Sequence, residues 1–100
     1  MEREEQLRER LRELANREFP ATAKGDQRYP IKLNHCFLRV VYDNLVEDKW
    51  KRVLTGKEPA IQQLNETQLE RAVEIGEAIM VDPERCRQLN QRSLEWRGKA

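Results

Sequence analysis

The chain has 100 residues, 37% of them charged, and a net charge of +1, which allows one small domain with a polar surface and a modest core. Leu, Ile, Val and Phe together number 23, too many for a wholly disordered chain of such low net charge. No apolar run approaches the ~18 residues of a membrane-spanning helix, and the near-neutral total by itself points to no class of partner.

The charge is unevenly spread. Residues 27–57 carry seven bases and three acids, residues 58–84 one base and seven acids, and residues 85–100 five bases and one acid. Such alternation fits complementary neighbours within one fold as well as an external partner. The opening "MEREEQLRERLREL" is acidic as well as basic and has no apolar stretch, so it reads as neither a secretory signal nor a transit peptide. Two cysteines without such a signal suggest reduced thiols in an intracellular protein, cytoplasmic or nuclear.

In chain order, residues 5–18 read as an amphipathic helix. Leu7, Leu11 and Leu14 form a narrow stripe, and Glu4–Arg8 and Glu13–Arg17 are favourable i, i+4 pairs. Such a helix is marginal alone and needs a surface: the rest of the domain, a second copy, or a partner. "FPATAKGDQRYP" (19–30) reads as a linker because of its two prolines and glycine, with Pro30 suited to the first turn of the next helix. Residues 31–54 predict a long central helix, breaking near Glu47–Asp48. Its apolar residues cover two sides, as in a helix buried on several faces. "TGKEPAIQQ" (55–63) is a loop, with Gly56 suited to a C-cap. Asn65 and Gln68 stand in capping-box positions, and Leu64 and Leu69 in hydrophobic-staple positions, before a helix over 65–81. Gly76 on its apolar face predicts close helix packing. Asp82-Pro83 is an N-cap followed by an N1 proline, with Val81 and Cys86 at the staple positions. The helix over 83–97 then has Cys86, Leu89, Ser93 and Leu94 inside and Gly98 after its end.

The fold class is therefore all-α. The expectation is a small three-to-four-helix domain, with a charged N-terminal helix and linker (1–24) beside a helical core (25–100) built on the central helix.

Three groups of residues carry chemical interest. On the central helix His35, Arg39 and Tyr42 share a side, with Asp43 at its edge and within i, i+4 reach of Arg39. They predict either an anion or catalytic pocket, with His35 as base, or a structural network reaching Asn65, Gln68 or Asn90. The second group is "RCRQLNQRSLEWRGK", in which Arg85, Arg87, Arg92, Arg97 and Lys99 accompany Trp96. These residue types contact phosphates and stack on bases. The alternative is a solvated face salt-bridged to Glu70, Glu74 and Glu77. The third group is "DKWKR", with Lys49, Lys51 and Arg52 around Trp50. If it lies beside the C-terminal bases, the two make one positive surface. Cys36 and Cys86 read as core residues, and one histidine with two cysteines falls short of a zinc site, so no metal or other cofactor is expected. The leading functional expectation is a non-catalytic binding or adaptor protein with a protein partner, or self-associating through the leucine stripe. Nucleic-acid binding stands second and a pocket at His35 and Arg39 third.

Overall fold

The structure is a computed structural model that describes residues 2–99; the two terminal positions of the expected segments lie outside the described residues. It is all-helical, with no strand among the described residues. Helix α1 (Glu2–Glu13) runs through one π-helical turn (Leu14–Glu18) into α2 (Phe19–Lys24). After a loop come α3 (Asn34–Val46), the single turn α4 (Trp50–Val53), a 3-10 turn (Ala60–Gln63), α5 (Glu66–Val81) and α6 (Pro83–Trp96).

The N-terminal helix extends past the expected end at residue 18. "FPATAK" reads as linker because a proline lacks an N–H and its ring clashes with the carbonyl four residues back. The chain avoids that clash with a π turn directly before Phe19-Pro20. The Phe19 N–H donates to Leu14 O, five residues back, and the backbone stays helical through Glu13, Glu18 and Phe19. Widening the turn moves the carbonyls out of the ring's way. The segment ends at Lys24, where Lys32 Nζ donates to the Ala23 and Asp26 carbonyls, each at 2.9 Å.

Nor does this segment stand beside a separate core. Leu7, Leu11, Leu14, Ala15, Phe19 and Ala23 are buried in the same cluster as Phe37, Val40, Leu69 and Ile79. Helix α1 packs chiefly on α5. The surface that the leucine stripe needs is supplied within the chain. Arg8, itself buried, donates to the carbonyls of Ile61 (3.2 Å) and Leu64 (3.3 Å), holding the approach to α5 against α1.

Helix α3 is central, packing on α5 and α6. It starts at Asn34 rather than 31, so Pro30 lies in the preceding loop. That loop is pinned by Tyr29, whose ring meets Phe19 edge-on at 5.6 Å. Its hydroxyl lies 2.8 Å from Ile79 O and 2.7 Å from Met80 O, near the end of α5. The expected break at Glu47 is real: Glu47 takes a left-handed conformation (φ 57°) and ends α3. Helix α4 ends at Val53 with Leu54 as its C-cap, so Gly56 caps nothing.

The start of α5 forms as read. Gln68 N donates to Asn65 Oδ1 (2.8 Å), Asn65 N donates to Gln68 Oε1 (2.9 Å), and Leu64 and Leu69 are both buried. Replacing Asn65 by alanine is expected to cost about 1 kcal/mol, measured as a lower urea midpoint; an unchanged midpoint would show the box to be idle. A Cβ on Gly76 would sit 3.1 Å from the Phe37 ring and 3.3 Å from Leu14 Cδ1. The glycine is thus where α5 lets α3 and the π turn approach. Asp82 caps α6 through Glu84 N (3.0 Å), but the expected Val81–Cys86 staple is absent: Val81 is 83% exposed while Cys86 is buried. At the far end Gly98 (φ 69°) closes α6. Lys99 N donates to Leu94 O (2.8 Å) and Gly98 N to Glu95 O (3.0 Å), the paired bonds of a Schellman motif.

Candidate functional site

The Schellman turn fixes Arg97, and Arg97 leads to the main polar centre of the molecule. Asp43, fully buried on α3, accepts from Arg97 Nε at 2.6 Å and Nη2 at 3.1 Å. Its carboxylate also accepts from Ser93 Oγ at 2.7 Å and from the Trp50 N–H at 3.0 Å. The last bond satisfies a backbone donor that the first turn of α4 leaves open. Arg39 donates to the same Ser93 hydroxyl (2.8 Å) and to Asn90 Oδ1 (2.7 Å). One chain of bonds therefore runs from Arg39 through Ser93 to Asp43 and Arg97, and ties α3, α4 and α6 together.

The expected His35–Arg39–Tyr42–Asp43 set divides. Arg39 and Asp43 belong to this network, but they meet through Ser93 and not directly. His35 is exposed in the first turn of α3, and its ring has no hydrogen-bond partner among the described residues. Tyr42 is buried with its ring edge-on to Trp50 at 5.6 Å, and burial pushes its phenol up to about 12. Of the suggested partners, Asn90 does bind Arg39, whereas Asn65 and Gln68 cap each other. Burial also pushes the Cys86 thiol up to about 12, which leaves it inert near neutrality. Cys36 and Cys86 are free thiols. Among the described residues no three His, Cys, Asp or Glu side chains gather where a metal ion would fit, and no helix is long and apolar enough to cross a membrane.

The basic candidates also sort by geometry. Arg97 is committed to Asp43, and Arg87 is paired with Glu84. The expected cross-bridges from α6 to Glu70, Glu74 and Glu77 do not form. Those carboxylates take Arg3, Arg71 and Arg10 instead, so the acidic face of α5 is answered largely by α1. Arg85 and Arg92 consequently have no carboxylate partner within salt-bridge distance among the described residues. Arg92 lies over the Trp96 ring at 5.3 Å, and Lys51 over the Trp50 ring at 5.7 Å.

Asp43 brings the two basic segments together. A single oxygen, Oδ1, accepts from both Trp50 N and Arg97 Nη2. The Trp50 turn and the last turn of α6 therefore meet at Asp43, although 47 positions separate Trp50 from Arg97. With Arg97 neutralised, these segments and their immediate flanks count five bases, Lys49, Lys51, Arg52, Arg92 and Lys99, against three acids, Glu47, Asp48 and Glu95, and both tryptophans in them are half-buried.

The sequence did carry a signal for the network. Asn90, Ser93 and Arg97 form an i, i+3, i+7 polar row on α6 that matches Arg39 and Asp43 on α3. Among protein-family models, curated proteins and solved structures, none matches the chain.

Proposed function

We propose that the protein is a small non-catalytic helical binding module, and that its ligand class is nucleic acid, single strands in preference. The observation that carries this reading is that Asp43 joins the Trp50 turn, with its flanking Lys49, Lys51 and Arg52, to the end of α6 at Arg97. Cations and aromatic rings side by side are what a flexible strand uses, phosphates on the bases and nucleobases on the rings. The other expectations draw less support. A catalytic pocket needs Arg39 and Asp43 free to meet a substrate, and both are engaged within the protein. Self-association through the leucine stripe needs that stripe open, and α5 covers it. A protein partner usually calls for a contiguous apolar patch, whereas the large exposed apolar side chains, Leu33, Val53 and Val81, sit at the start of α3 and the ends of α4 and α5. An intracellular setting, cytoplasmic or nuclear, goes with this reading and with the free thiols.

The test uses the chain's own reporters, because both of its tryptophans lie at the proposed surface. Titration with single-stranded RNA or DNA at low salt is expected to change tryptophan fluorescence saturably, and the affinity to fall as salt rises. The double variant Lys51→Glu/Arg52→Glu is expected to bind at least about tenfold more weakly, and its salt dependence to be shallower by about 0.7 for each phosphate it no longer neutralises. No binding of single strands or duplex at low salt, or equal binding by the variant, would overturn the reading.

A further inference from the structure

The end of α3 and the facing stretches of α5 and α6 line an open cavity of about 200 Å³. Its exposed lining is mostly polar, with Ile75 and Leu89 beneath, and around it stand Arg71, Arg85 and Arg92. Two acids, Glu47 and Glu74, also line it, so the lining is positive by one. Of these three arginines only Arg71 meets an acid among the described residues, Glu74 at 3.3 Å with both side chains largely exposed, a pairing that holds little. Arg85 has only a 3.4 Å contact with Gln88.

A second observation comes from Asn44, which lines the same cavity. Its Nδ2 donates to Val40 O (2.8 Å) and Leu89 O (3.0 Å). Its Oδ1 is buried and without a hydrogen-bond partner among the described residues. Turning the amide over would set its oxygen against two carbonyls, so the bonds fix the assignment. A buried acceptor left unmade is costly and calls for a donor.

We infer that the cavity is a site for the phosphate group of a small hydroxylated molecule, a phosphate monoester. Guanidinium forks match phosphate oxygens in pairs. Arg85 and Arg92 stand seven residues apart on α6, about 10.5 Å along the axis, and long side chains from both can close on one group above Leu89. Asn44 Oδ1, buried behind this lining and without a partner among the described residues, is the acceptor we assign to a ligand hydroxyl. The largely polar lining suits a short hydroxylated skeleton, and the volume suits a phosphate with a few further heavy atoms. This site shares Arg92 with the proposed nucleic-acid surface and differs from it in depending on Arg85, which lies about three turns before Arg97 on α6 and lines the cavity. Phosphate is the chemistry shared by the two, so the test must separate a monoester from a strand.

The experiment is titration of the full chain with inorganic phosphate and with glycerol phosphate, followed by NMR at the Asn44 side-chain amide and the Arg85 and Arg92 Nε–H groups. Saturable shifts at these three positions are expected, with glycerol phosphate the tighter ligand. Arg85→Gln, at an exposed position, is expected to weaken binding by about tenfold or more while the rest of the spectrum shows an intact fold. Lys51→Glu/Arg52→Glu is expected to bind glycerol phosphate unchanged, even where it loses oligonucleotide. Absence of saturable shifts, unchanged binding in Arg85→Gln, or shifts produced by oligonucleotide alone would each overturn the proposal.

Discussion

Replacing Asp43 by alanine is expected to destabilise the fold by about 3 to 5 kcal/mol, the cost of breaking a buried ion pair from one side. The carboxylate is fully buried and Arg97 is only 18% exposed, so solvent screens the pair little. The substitution leaves four donor groups without their acceptor: two on Arg97, the Ser93 hydroxyl and the Trp50 N–H. For a domain whose total stability is of order 5–15 kcal/mol, this is a large fraction. Urea unfolding monitored by circular dichroism measures it. The double variant Asp43→Leu/Arg97→Met is expected to be less destabilised than Asp43→Ala, because it removes the stranded charge as well as its partner. A loss in Asp43→Ala below about 1 kcal/mol, the range of an exposed pair, would show that the network is incidental. The same substitution bears on function. It unties α4 from α6, so the folded fraction of the variant should also bind single strands more weakly.

What is legible in the sequence is what local chemistry decides. Asn65 with Gln68, and Asp82 with Pro83, specify helix starts using atoms within three residues, and both form. Gly76 signals close packing because a glycine on an apolar helix face has little other use there. Gly98 closes α6 for the equally local reason that a left-handed residue ends a helix cheaply only without a side chain. The failures are of two kinds. Pro20 stands where the usual rule ends a helix, and the π turn that rescues it has no reliable sequence mark. Asp43 is visible beside Arg39 at i, i+4, which suggests a direct pair. Its true partner lies 54 positions away, and only the packing of α3 on α6 selects it. The convergence of the two basic segments follows from that same packing, so periodicity and spacing leave it open. The cavity is hidden for a related reason: Asn44, Arg71, Arg85 and Arg92 sit on three helices whose mutual angles no periodicity specifies.

The role of the N-terminal segment is the largest alternative that the sequence leaves open, and a chain beginning at Gly25 resolves it. Such a chain is expected to lose cooperative folding. It lacks Leu7, Leu11, Leu14 and Phe19, all buried, and burial of each such side chain is worth about 1.5–3 kcal/mol, together comparable with the entire stability of a small domain. Their loss exposes Phe37, whose ring packs tilted against Phe19 at 4.8 Å, and the α5 residues Leu69, Ala72 and Val73. It also removes Arg8 from the carbonyls of Ile61 and Leu64. Helices α3, α5 and α6 would retain local propensity and their caps without a closed core, so helical circular dichroism should persist in part while dye-accessible apolar surface appears and the unfolding transition broadens. A graded version keeps the full chain: Leu11→Ala is expected to cost about 2–5 kcal/mol, because Leu11 is fully buried and α1 has little freedom to close the gap while Arg8 and Arg10 hold it to the segment before α5 and to Glu77. A sharp two-state transition at an unchanged midpoint for the Gly25 chain, with a small effect of Leu11→Ala, would mean that residues 25–99 form the domain and that the leucine stripe is available to a partner.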